Sequence, residues 1–98
     1  MSFRDNYDFS ILVNESENLV IEELDRQLKE LDDPGICTCQ DCILDMAAYA
    51  LNSIKPLYRV SLLGRIYAQA LDSGDNAEQV KKAVQKAIQI VHAHPSHD

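Results

Sequence analysis

Three cysteines fall within six residues, Cys37-Thr38-Cys39-Gln40-Asp41-Cys42, directly after the breaker pair Pro34-Gly35, and the chain has no others. Thiols gathered this closely suit a metal ion, a redox relay or a disulfide. A closed structural zinc site takes four ligands, so a fourth would come from Asp45, from a histidine of the tail or from a second chain. Asp45 follows Cys42 by three residues and shares its face if the segment is helical. The spacing C-x-C-x-x-C is less diagnostic than two CxxC pairs. The plainer alternative is that Cys42, and with it Cys37, is a small buried apolar side chain.

A second concentration is electrostatic. The formal net charge is −7, yet residues 46–71 contain no acid and three bases, Lys55, Arg59 and Arg65. Residues 1–45 hold twelve acids against Arg4, Arg26 and Lys29. The acid-free stretch is where an anion would be welcome, and Tyr58 and Tyr67 lie beside its bases. Its alternative reading is a partly buried pair of helices that needs few charges. The acidic total argues against direct DNA or RNA binding over the whole surface.

Catalytic constellations are thin in the sequence. It has no Gly-rich phosphate loop, no HExxH and no GxSxG. All three histidines, His92, His94 and His97, stand in the last seven residues, so a Cys–His nucleophile pair would depend on the tail. A thiol oxidoreductase places CxxC in a βαβ pattern, whereas Cys39 and Cys42 stand in a helical one. The polar N-terminus and the lack of an 18-residue apolar run give neither a signal peptide nor a membrane span. The expected home is cytoplasmic, where thiols stay reduced.

The elements that must position these residues read as helices. The first opens at Asn14 with Glu17 as capping-box partner and carries Val20, Leu24, Leu28 and Leu31 at helical spacing. Asp32-Asp33-Pro34-Gly35 ends it. Thr38, with Asp41, starts the second, leaving Cys37 in the turn and Cys39 and Cys42 near the first turn, where the helix dipole favours thiolate. Ile43, Met46, Ala47, Ala50, Leu51 and Ile54 form its apolar stripe, and Lys55-Pro56 stops it.

Leu57-Tyr58-Arg59-Val60 reads as an extended connector. Ser61 caps a third helix over Leu62 to Leu71, with Gly64 inside it. Asn76, with Gln79, caps a fourth that runs to about His92 on Val80, Ala83, Val84, Ala87, Ile88 and Val91, its lysines 81, 82 and 86 facing water. The expectation is one compact all-α domain of about four helices over residues 1–98, with an N-terminal arm (1–13) and a flexible tail (93–98). A domain this small gains from a metal or a dimer interface.

Glu22-Glu23-Leu24-Asp25, the cysteine cluster, Asp45-Met46-Ala47-Ala48-Tyr49-Ala50-Leu51-Asn52 and Pro56-Leu57-Tyr58 resemble the late competence protein ComFB family over about residues 14–67. Lys55 departs from the pattern, since many members carry a second proline there. The resemblance implies a non-catalytic, two-fold helical homodimer with zinc at the cysteines. It also implies, from the cyanobacterial branch that the basic loop and third helix resemble, a receptor for a cyclic dinucleotide, cyclic di-GMP above all, which relays it to a protein partner such as a transcription regulator.

The side chains are compatible with that expectation. Cyclic di-GMP has two phosphates, two guanines and a two-fold axis, which an isologous dimer matches. Arginine forks onto phosphate or guanine and tyrosine stacks on a base. The expected contacts are Lys55, Tyr58, Arg59 and Arg65. A zinc-stabilised structural or adaptor protein, and a thiol redox sensor using Cys39 or Cys42, are the other two readings.

Overall fold

The structure is a computed structural model and describes residues 2–60 and 74–95. Three helices build its body: α1 (Glu15–Leu31), α2 (Gln40–Asn52) and α3 (Gly74–Ala93). The expected helix over residues 62–71, with Gly64 and Arg65, lies outside the described residues. An arm of two short 3-10 turns, Phe3–Asn6 and Phe9–Ile11, precedes α1.

One core joins the three helices. α1 contributes Val20 and Leu24, α2 contributes Cys42, Met46 and Ala50, and α3 contributes Val80, Ala83, Val84, Ala87, Ile88 and Val91. The last six are the stripe expected for the final helix, and lysines 81, 82 and 86 are exposed as expected. On α2 the expected stripe divides. Cys42, Met46 and Ala50, spaced by four, are buried, whereas Ile43, Ala47 and Leu51 flank them half-buried. Leu31 departs from the α1 stripe: at the last helical residue it is 53% exposed, at the wall of a cleft shared with Ile36 and Ile88.

Helix ends account for the other differences. Asn14 caps α1 as expected, but its side chain accepts from the Ser16 N–H rather than entering a capping box with Glu17. Asp32 closes α1 in the left-handed region at φ 44°, a conformation that aspartate tolerates better than most residues. The cap of α2 is Cys39 rather than Thr38, and α3 opens at Gly74, so Asn76 lies within its first turn instead of capping it. α2 also ends at Asn52, three residues before the Lys55-Pro56 stop.

The extended connector does more than link helices. Val13–Asn14 (β1) and Tyr58–Arg59 (β2) pair antiparallel, Val13 opposite Arg59 and Asn14 opposite Tyr58. The fold is therefore mostly helical with a minimal two-stranded sheet, which the all-α expectation omitted. Strands of two residues are too short for alternation to reveal them. No described helix is long and apolar enough to cross a membrane.

Candidate functional site

The cysteine turn is built locally. The Asp33 carboxylate accepts the Gly35 N–H at 2.8 Å and its carbonyl accepts the Ile36 N–H at 3.1 Å. This turn reverses the chain and returns Ile36 to the edge of the core. A side chain on Gly35 would meet the Asp33 carboxylate at 3.1 Å, which suits glycine to the position. Cys37 follows half-buried, Cys39 is exposed as the α2 cap, and Cys42 is 1% exposed in the core.

These positions bring the three sulfurs within 4.8 Å of one another, with no disulfide among them. The Cys42 N–H lies 3.5 Å from Cys39 Sγ, so a sulfur occupies the place where a cap oxygen usually accepts. Backbone and side-chain hydrogen bonding from Cys39, then from Cys42, holds the Cys37 thiol below its ordinary pKa of 9.0. More thiolate at neutral pH is what a metal or an oxidant would meet.

Zinc–sulfur bonds of about 2.3 Å in tetrahedral array separate sulfurs by roughly 3.8 Å. The cluster would need to tighten by about 1 Å to hold the ion, and three soft donors are the right chemistry. Asp45, exposed on α2, is not among the converging ligand atoms, nor are His92 and His94. His97 lies outside the described residues.

The second candidate surface sits where β2 crosses the start of α1. Leu57 is held on both sides: its N–H donates to Asn14 Oδ1 at 2.8 Å and its carbonyl accepts the Glu15 N–H at 2.8 Å. The Ser16 hydroxyl, 1% exposed, donates to the Lys55 carbonyl at 2.8 Å. The second of these contacts also satisfies the Glu15 N–H, a first-turn group of α1 with no partner within the helix. Together with the strand pair these contacts form a clasp that fixes the backbone of residues 55–59.

On this clasp the side chains of Lys55 and Tyr58 are exposed, Tyr58 by 61%. Arg59, another of the expected contacts, has its guanidinium paired with the Glu15 carboxylate, both side chains being largely buried. Arg65 is outside the described residues. Sequence reasoning missed Ser16 and the second use of Asn14, whose partners lie about forty residues further along the chain. Glu15, a first-turn acid suited to the helix dipole, takes on a second role as the partner of Arg59.

Fold and sites together define a small, mostly helical domain, clasped at its first helix and carrying a three-thiol cluster at its second. A family model described as late competence development protein ComFB matches residues 13–95. The solved structure of the late competence protein ComFB from Bacillus subtilis is similar, with a TM-score of 0.66 and 31% identity, over 87% of this chain and 94% of that one. A search of curated proteins returned no match. The chain belongs to the late competence development protein ComFB family. The match reaches past the motifs at residues 14–67 and takes in the final helix.

Proposed function

We propose that this chain is a non-catalytic receptor for a cyclic dinucleotide, cyclic di-GMP above all, acting as a two-fold homodimer that relays the ligand to a protein partner such as a transcription regulator. The observation that carries this reading is Tyr58, which is 61% exposed on a strand whose backbone the clasp holds in place. A fixed, open aromatic ring is a ready platform for a base. Lys55, exposed three residues earlier, would supply charge for a phosphate. Arg59 would take part by exchanging the Glu15 carboxylate for the phosphate, and Arg65 would complete the expected set.

Isothermal calorimetry with cyclic di-GMP and cyclic di-AMP tests the reading. Base stacking contributes about 1–3 kcal/mol by alanine substitution, so Tyr58→Ala should weaken binding roughly tenfold to a hundredfold. Lys55→Ala and Arg65→Ala should do the same through lost charged hydrogen bonds of about 1.5–3 kcal/mol. Arg59→Ala should weaken binding and lower stability as well, since it also breaks the Glu15 pair. Absence of binding by the unaltered protein to either nucleotide would remove the receptor reading.

The converging sulfurs favour a second reading alongside it, a zinc ion at Cys37, Cys39 and Cys42 that fastens the start of α2. Such an ion would tie the turn to the core through Cys42. Metal analysis of the purified protein should find about one zinc per chain, and less in Cys39→Ser, whose exposed side chain is dispensable for the core. A metal-free protein whose thiols oxidise reversibly to a disulfide would favour the redox-sensor alternative instead.

A further inference from the structure

Residues 2–12 form two hydrogen-bonded turns without burying any residue of either. Phe3, Tyr7, Phe9, Ile11 and Leu12 are 70%, 60%, 44%, 54% and 46% exposed. Three of them gather on one side, the Phe3 ring 4.8 Å from that of Tyr7 and 6.3 Å from that of Phe9. The arm's acids are turned onto the arm itself, Asp5 accepting from Ser2 and Asp8 from Ser10. Arg4 is left as its one base.

Close to the arm's root, α1 and α2 enclose an open groove of about 810 Å³ whose walls include Ile21, Leu24, Leu28, Ile43, Leu44 and Leu51. Ile21 and Leu44 are 57% and 56% exposed. Glu17 and Asp25 stand at its rim, both exposed. The chain thus carries an apolar groove with an acidic rim and an apolar arm with one cation, and among the described residues the arm does not cover the groove. The pairing of Val13–Asn14 with β2 fixes the direction in which the arm leaves α1.

We propose that the arm of one copy docks in the α1–α2 groove of a second copy, reciprocally about a two-fold axis. This rests on the homodimer reading above and specifies what its interface is made of. Arg4 then faces Glu17 of the other copy, Asp25 being already paired with Lys29 at 3.0 Å, while the aromatic side covers Ile21 and Leu44. At roughly 150–250 Å² per aromatic side chain, each arm offers on the order of 500 Å² of apolar surface. With the groove it covers, and both arms engaged, the interface comes to about 2,000 Å², within the range of stable protein–protein interfaces. Reciprocal exchange closes the assembly at two copies, whereas one-way docking would propagate.

Sedimentation equilibrium on the unaltered chain, on a variant lacking residues 2–12 and on Leu44→Glu tests this, with circular dichroism to check that helix content persists. The unaltered chain should dimerise, and both changes should weaken dimerisation tenfold or more. A photo-crosslinking phenylalanine analogue at position 9 of the full-length chain should join to α1 or α2 of another chain. Dimerisation of unchanged affinity without the arm overturns the arm proposal and leaves the dimer standing. Crosslinks confined to one chain overturn it in favour of an arm that covers its own groove. An unaltered protein monomeric at every concentration overturns both.

Discussion

Ser16 carries more of the structure than its residue type suggests. Its hydroxyl donates across 39 residues of chain to the Lys55 carbonyl, from a position that is 1% exposed. Ser16→Ala leaves that carbonyl short of its donor, so stability should fall by about 1–2 kcal/mol, read from the urea midpoint at unchanged slope. A midpoint that does not move would show that the clasp adds nothing to folding. At this scale the sequence was readable wherever chemistry was concentrated, as with three thiols in six residues or the Asn14 cap. It was not readable where a common first-turn serine or glutamate takes a distant partner. Glu15 and Arg59 illustrate this, because by type and place a first-turn acid suits the helix dipole and a connector cation suits water, so nothing local announces that they pair across 44 residues. Cys42 merges two readings offered as alternatives, since its side chain lies in the core while its sulfur belongs to the cluster.

Helices α2 and α3 meet through small side chains. Ala50 and Ala87 are fully buried and Ala83 nearly so, and such residues let helix backbones approach closely. Enlarging one should force the helices apart. Ala87→Leu should cost about 1–3 kcal/mol by overpacking, whereas Ala77→Leu, at an exposed position of the same helix, should stay within about 0.5 kcal/mol. Equal effects in thermal or urea unfolding would contradict this description of the interface. The helices were legible because their stripes repeat over many turns. Their ends were not, because caps compete locally: Thr38 is the better cap by residue type, yet its neighbour Cys39 holds the place, its sulfur accepting the Cys42 N–H. The two strands escaped notice because two residues carry no period.

The molecule measures 45 × 39 × 18 Å, a flat body with an arm that adds extent without adding to the core. A single, mostly helical domain was legible from composition and stripe count. The open faces were not, because each stripe shows that a helix has a partner without showing which partner, or whether it belongs to the same chain. Ile21 and Leu44 have the same residue types as core positions and are nonetheless more than half exposed.

One oxygen in this body bears on the proposed assembly. Asn14 Oδ1 accepts both the Ser16 N–H of α1 and the Leu57 N–H that leads into β2, and Asn14 is also where the arm is rooted. The proposed arm docking and the proposed ligand capture at Tyr58 would therefore act on the same joint. If docking holds that joint still, a ligand has less disorder to remove when it binds. Linkage then requires the ligand to tighten the dimer by the same factor by which the dimer tightens the ligand. A carboxamide shared between two amides would in this way make self-association and second-messenger concentration two readings of a single equilibrium.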